Sequence, residues 1–295
     1  MKKILAVMLC LVMVLGVFTG CGDKKDNATD GSGSADTGIT PVSEMTTLTV
    51  GFDAEYAPYG YKDDSGEYVG FDLDLAQEFC DRMGWELKKQ PINWDAKDME
   101  LNSGTIDCIW NGFTMTGRED KYTFSVPYVD NSIVFIVMND SDIQTAEDLA
   151  GKVVVTQADS SALAALTSTE DNEENLALKD SFAELQEVPD YNSAFLNLES
   201  GAVDCIAVDI GVAQYQLTSR GDTFRKLEKP LSTEQYGIGF KKGNEELRDA
   251  VQEKLFEMYE DGTFQKIAEK YAEYNIPEMI CIERYMDGGD KSDKE

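Results

Sequence analysis

The segment Trp110-Asn111-Gly112-Phe113-Thr114-Met115-Thr116-Gly117-Arg118 ends a turn of small, amide and hydroxyl residues in a guanidinium. Arginine presents a planar fork that binds a carboxylate through two parallel hydrogen bonds, and Thr114 with nearby backbone groups can complete such a seat. A plain surface ion pair of Arg118 with Glu119 or Asp120 is the competing reading. Asp209 follows the apolar run Cys205-Ile206-Ala207-Val208 and precedes the helical pattern from Ile210 to Leu217. It can accept hydrogen bonds from an ammonium group or cap the helix, and the two uses coexist at the rim of a crevice. Between Gln157 and Leu166 a strand end, a turn and a helix start aim the amides of Ser160 and Ser161 at an anion, while Ser-Ser also serves as an ordinary cap. Tyr56 and Trp94 stand where strands have just ended, positions that suit an aromatic wall or the core.

The composition removes several chemistries. The 295 residues contain no histidine, which excludes Ser-His-Asp and Cys-His catalysis, His-ligated zinc and a histidine pH switch. The six cysteines fall at 10, 21, 80, 108, 205 and 281, with no C-x-x-C pair to suggest a zinc ribbon or a thioredoxin-like site. No metal, cofactor or catalytic group is expected. A formal charge of -30 argues against binding nucleic acid, because a polyanion cannot release another polyanion's counterions. At 42% hydrophobic residues the chain still buries a core, and its length suits two globular units.

The elements that position these residues occur in duplicate. Leu101-Asn102-Ser103-Gly104-Thr105-Ile106-Asp107-Cys108-Ile109 recurs as Leu198-Glu199-Ser200-Gly201-Ala202-Val203-Asp204-Cys205-Ile206. Each copy reads as a helix entered at an aromatic (Trp94, Tyr191), a glycine in the left-handed stop, and a short apolar strand. Leu48 to Phe52 alternates as a strand, and Ile133 to Met138 and Val153 to Thr156 read as buried strands. Asp72 is placed to cap a helix whose Leu75, Ala76, Phe79, Cys80 and Met83 share one face, with Gly84 as its stop. Leu247 to Tyr259 and Phe264 to Tyr271 read as amphipathic helices around Asp261-Gly262. The class is α/β with a mostly parallel sheet in each unit, and the ligand belongs in the crevice beyond the strand ends.

Residues 1–20 read as a signal peptide: Lys2 and Lys3, the apolar run Ile4 to Phe18, then Thr19-Gly20 before Cys21. That apolar run is too short to span a membrane. A cysteine in this place resembles the lipoprotein processing signal, which makes Cys21 the lipidated first residue, and the polar stretch to about Met45 reads as a tether.

From about Leu48 to Tyr271 the chain resembles the polar amino-acid solute-binding proteins of ABC importers, solute-binding family 3. The resemblance rests on Gly70-Phe71-Asp72-Leu73-Asp74-Leu75-Ala76, Ser103-Gly104 to Asp107, Phe124-Ser125-Val126-Pro127-Tyr128, Asp148-Leu149-Ala150-Gly151-Lys152, Tyr236-Gly237-Ile238-Gly239-Phe240 and Asp261-Gly262-Thr263. It implies a periplasmic binding protein type II-like fold, two α/β lobes joined by a two-segment hinge. It also implies a ligand carboxylate on Arg118, Thr114, Ser160 and Ser161, and an ammonium on Asp209 and Gly112. The side-chain pocket then falls to Tyr56, Trp94, Asp53, Asn111, Phe113 and Gln157. Two positions depart from the family pattern: Thr116-Gly117-Arg118 is one residue short of Thr-x-x-Arg, and Asp159 stands where glycine is common.

The resulting expectation is an extracytoplasmic, lipid-anchored monomer that binds a free polar or basic amino acid and delivers it to the permease of an ABC importer. Lobe one takes residues 46–138 and 233–275, lobe two takes 139–232, crossovers fall near 139 and 232, and 276–295 form a tail. A ligand-sensing domain for a signalling partner and a dehydratase-like enzyme on the same fold are the alternatives.

Overall fold

The computed structural model describes residues 38–169 and 172–286. The expected signal peptide and the lipidation site Cys21 lie outside the described residues, as does most of the expected tether. The tether ends earlier than expected, because Val42, the first residue of the short helix Val42–Glu44, and Met45, just after it, already pack against the core.

Two sheets form two lobes. The first runs Glu86–Pro91, Thr47–Phe52, Cys108–Ile109, Gly239–Lys241, Tyr122–Phe124. The second runs Glu184–Val188, Val153–Gln157, Cys205–Asp209, Val129–Met138, Phe224–Lys226, with Ser232–Tyr236 also on Val129–Met138. Each sheet has a parallel trio, joined by helix crossovers, and beyond it antiparallel strands. The expectation of a mostly parallel sheet therefore holds only for the halves built from the repeated unit. A small sheet of Glu55–Tyr56, Gly60–Lys62 and Tyr68–Val69 lies apart from both.

The repeat has a physical reason. The helices Lys97–Ser103 and Tyr191–Glu199 are followed by Gly104 at φ 77° and Gly201 at φ 74°, the left-handed stop that a side chain would strain. Asp107 and Asp204 then do the same work. Each carboxylate accepts the amide of the neighbouring parallel strand, Thr49 at 2.7 Å and Val153 at 2.8 Å. Each backbone amide returns a bond to the same residue's carbonyl, at 2.8 and 2.9 Å. Cys108 and Cys205 follow as buried strand residues of different sheets, and among the described residues Cys80, Cys108, Cys205 and Cys281 are free thiols.

The crossovers differ from expectation. Val129–Met138 pairs with Cys205–Asp209 and so belongs to the second sheet; the chain leaves the first sheet between Phe124 and Val129 and returns between Tyr236 and Gly239, not near 139 and 232. A run buried on both faces does not show in sequence which sheet it joins. The two crossovers are bonded to each other, Ser125 N to Ile238 O and Tyr128 N to Tyr236 O, both at 3.0 Å.

The tail from Ile276 is packed as far as it is described. Ile276, Cys281 and Ile282 are buried, and the Cys281 amide donates to Tyr128 O at 3.0 Å. Arg284 forks onto Asp130 at 3.0 and 2.6 Å, and the Tyr285 hydroxyl donates to Gln235 at 3.0 Å, so the segment touches both crossover strands.

The helix Phe71–Met83 begins at Gly70, not at Asp72. Its first amides donate to the loop carbonyls of Pro58 (2.9 Å) and Tyr59 (3.1 Å), which leaves no task for a capping side chain and frees Asp72 to point inward. Gly70 sits at φ 142°, and a Cβ there would lie 2.2 Å from the Tyr59 carbonyl oxygen. Gly84, at φ 69°, has open space around the same position. Gly70→Ala should therefore lower the melting temperature markedly, whereas Gly84→Ala should cost only the left-handed backbone strain of about 1 kcal/mol; equal losses in a melting experiment would contradict this account.

Candidate functional site

Polar side chains of both lobes converge on the crossover strands. Asp209 is the N-cap residue of Ile210–Arg220, yet its side chain makes no capping bond. Its carboxylate turns to the crossovers, accepting from Asn131 Nδ2 (2.7 Å) and Tyr236 OH (2.7 Å) at Oδ1 and from Tyr191 OH (3.4 Å) at Oδ2. The capping reading thus holds for position and fails for the side chain. Glu234, on the second crossover strand, offers Oε1 to Thr114 Oγ1 (2.6 Å), Asn131 Nδ2 (2.7 Å) and Ser161 Oγ (3.0 Å). Burial, and then the Asp209 charge, push its carboxyl up to about 7. Sequence reading passed over Glu234, one of 56 acidic residues with no motif around it.

Arg118 is not spent on Glu119 or Asp120: among the described residues its guanidinium donates to two carbonyls, Thr114 O and Asp159 O, both at 3.2 Å. It lies over the Phe113 ring at 4.9 Å, a cation–π contact that fixes its plane. Phe113 is itself fully buried against Trp94, Tyr122 and Phe124, which makes it the bed of the guanidinium.

Asp159 joins the lobes. It holds φ 54°, a left-handed conformation that aspartate tolerates better than most residues and that accounts for glycine being common at this place. Its carbonyl receives Arg118 and Trp94 Nε1 (3.2 Å), and its carboxylate pairs with Lys97, whose side chain is 1% exposed and whose ammonium lies over Trp94. Burial lowers the Lys97 pKa against the pull of Asp159. Lys97 was also passed over, since it reads as an ordinary helix residue. A second link runs from Gln157 Nε2 to Asp53 Oδ2 at 2.6 Å, and a third from Asn192 to Glu55.

The remaining residues singled out in the sequence fall into place around these links. Ser160 uses its hydroxyl to cap Leu163 N (3.1 Å), while Ser161 gives its hydroxyl to Glu234. The Gly112 amide donates to the buried Asp72 (2.6 Å), so its amide is already taken. Asn111 accepts the Asp53 amide at 3.0 Å and lies 1% exposed behind it, its Nδ2 without a partner among the described residues. Tyr56 and Trp94 stand parallel, with centroids 6.5 Å apart and planes 8° apart. Beside them opens a cavity of about 590 Å³ lined in part by Asp53, Glu55, Trp94, Asp95, Glu100 and Asp190, with no lysine or arginine in its wall among the described residues.

Two lobes, two bonded crossovers and polar groups converging between them define a ligand-binding clamp. The chain belongs to the bacterial extracellular solute-binding proteins, family 3, whose pattern matches residues 48–274. It is 32% identical over 241 residues to the L-cystine-binding protein TcyJ of Escherichia coli K12, covering 80% of this chain and 87% of that one. It is 32% identical over 279 residues to the L-cystine-binding protein TcyA of Bacillus subtilis 168, covering 92% and 97%. An ABC uptake transporter substrate-binding protein from Streptococcus pneumoniae, solved with bound histidine, superposes with a TM-score of 0.72 at 35% identity over 77% of this chain and 92% of that one. The family and these relatives are binding proteins, and the chain is a binding protein and not an enzyme.

Three carboxyls in and behind the site have raised pKa values, all chiefly by burial: Asp53 to about 6, Asp72 to about 7 and Glu234 to about 7. A carboxyl that stays protonated in the folded chain after it has ionised in the unfolded one stabilises at low pH, and that stability is lost as pH rises through the folded value. From about pH 4 upward each such group should remove about 1.4 kcal/mol per pH unit, Asp53 as far as about 6 and Asp72 and Glu234 as far as about 7. Urea denaturation across this window should show stability falling with pH, less steeply in Asp72→Asn; a flat or rising wild-type profile would refute the burial account.

Proposed function

We propose that this protein captures a free amino acid outside the cell, closes its two lobes on it and delivers it to the membrane permease of an ABC importer. The observation that carries the reading is Asp209: a carboxylate at a helix start, 2% exposed, that forgoes capping and turns to the crossover strands. An acceptor held by Asn131, Tyr236 and Tyr191 suits an α-ammonium. Arg118, oriented by Phe113 and bonded only to carbonyls among the described residues, has its fork available for the α-carboxylate, with Thr114 and the backbone amides of Ser160 and Ser161 beside it. The Gly112 carbonyl joins the ammonium contacts.

The side chain of the ligand occupies the space next to Tyr56 and Trp94, bordered by Asp53, Asn111 and Gln157. The acidic wall of the adjoining cavity favours a polar or cationic side chain. Related proteins named for L-cystine, for glutamine and for lysine, arginine and ornithine, and a structure bound to L-arginine, support that class. Ligand stabilises the closed arrangement because only there do Arg118 and Asp209 act together. We further propose that residues 1–20 direct export, that lipidated Cys21 anchors a monomer to the outer face of the cell membrane, and that the importer recognises the closed form.

Thermal melting of the full-length protein against L-cystine, L-glutamine, L-histidine, L-arginine and L-lysine tests the reading. A ligand at a hundred times its dissociation constant adds about 2.7 kcal/mol, a rise of several degrees. At least one amino acid should produce it in the wild type, and Arg118→Ala and Asp209→Asn should each abolish it. No shift with any of them would defeat the proposal.

A further inference from the structure

We infer that Asp159 is a catch between the lobes, its carboxylate held by Lys97, which keeps part of the protein closed before any ligand arrives. The inference rests on the reading of the two lobes as a clamp and on no property of the ligand.

Asp159 lies in the turn between the strand Val153–Gln157 and the helix Ser161–Thr167 of the second lobe, and three groups of the first lobe reach it. Trp94 Nε1 and Arg118 donate to its carbonyl, both at 3.2 Å, and the Lys97 ammonium donates to its carboxylate. All three bonds exist only while the lobes are together. The two carbonyl bonds need no particular side chain at position 159, so the charge-assisted pair with Lys97 is what the aspartate side chain contributes.

Lys97 is aimed by its own lobe but not completed by it. Its side chain is 1% exposed, and its ammonium donates to Trp94 O at 3.3 Å and lies 4.9 Å from the centre of the Trp94 ring. The neighbouring carboxylate, Asp98, is taken by the Tyr122 hydroxyl, and Arg118 of the same lobe acts on Lys97 as a like charge. Among the described residues Asp159 is the carboxylate paired with it. A buried ion pair stabilises only where its attraction exceeds the loss of hydration. Here the ammonium is already positioned on Trp94, and the Asp159 side chain stays 58% exposed, so closing adds the attraction while removing little water from the carboxylate. Closing also brings a negative charge to two cations that stand on one lobe. Neither gain requires an amino acid between the lobes, and together they reduce how far a ligand must shift the equilibrium.

Spin-label distance measurements on the ligand-free, full-length protein provide the test. The labels go on Met99→Cys and Leu196→Cys, exposed positions on the helices Lys97–Ser103 and Tyr191–Glu199 of opposite lobes, with Cys10 and Cys21 changed to serine; the other four cysteines are buried. With Asp159 and Lys97 in place the distances should include the short population of the closed arrangement. Asp159→Gly, which suits the backbone φ of 54°, should lose most of it to a longer one, and Asp159→Asn, which keeps the side chain's shape, should shift it the same way. Adding Lys97→Met to Asp159→Gly should restore part of the short population, because no buried charge is then left without a partner. A turn merely loosened by glycine would not be mended by that second change. Melting temperatures verify that the variants fold. Distances unaltered in both Asp159 variants, or an Asp159→Gly distribution that Lys97→Met does not shift back, would overturn the catch. L-Arginine and L-cystine added to the same samples separate this from the clamp itself: a protein with Asp159 and Lys97 intact that is wholly open alone and closes with either amino acid keeps the clamp and loses the catch, whereas a single distance that neither amino acid nor variant moves removes both.

Discussion

The antiparallel pairing of Val129–Met138 with Ser232–Tyr236 is the constraint on which the arrangement depends. It makes one strip of backbone serve as a sheet member, as the link between lobes and as the base on which polar side chains of both lobes converge. Asn131 and Glu234 lie opposite each other in that register, and Tyr236 follows at the end where the chain turns back to the first lobe. Because the pair is backbone-bonded, the acceptors it carries stay in fixed relation while the lobes on either side contribute the more distant groups. Arg118 comes from one lobe and Asp209 from the start of a helix in the other.

Negative charge is concentrated where water is scarce. Asp53, Asp72 and Glu234 all carry raised pKa values for the same first reason, burial, although each receives hydrogen bonds that favour its ionised form. Desolvation outweighs those bonds at all three. Asp72 shows how such a carboxyl is held inside the fold, accepting from the Gly112 amide and the Tyr128 hydroxyl. The cations nearby are fixed by rings: Arg118 over Phe113 and Lys97 over Trp94.

The repeat was legible because identical residues have identical tasks. Asp107 and Asp204 bridge the same two neighbouring strands in their own lobes, and Gly104 and Gly201 stop the same helix. Arg118 was legible as a fork looking for oxygen, but its partner Asp159 lies 41 residues away and depends on a left-handed turn. Asp72 was misread because an aspartate ahead of a helix usually caps it; here loop carbonyls satisfy the first amides and Gly70 makes the entry. Glu234 could not be found from sequence, since its meaning comes from which strand lies beside it. The crossover positions were missed for the same reason, strand pairing being a property of the assembled sheet.

The packed C-terminal segment gives that joint a separate adjustment. Arg284 holds Asp130 on one crossover strand and Tyr285 holds Gln235 on the other, both from beyond residue 274, where the family pattern ends. Asp130 and Gln235 are direct cross-strand partners, joined as well by a 2.9 Å side-chain bond. The segment therefore acts as a splint across the paired crossover strands, held through Asp130 and Gln235. Its sequence can change how stiffly the clamp swings, and thus how much of the ligand's binding energy goes into closing it, while the chemistry of recognition stays as it is.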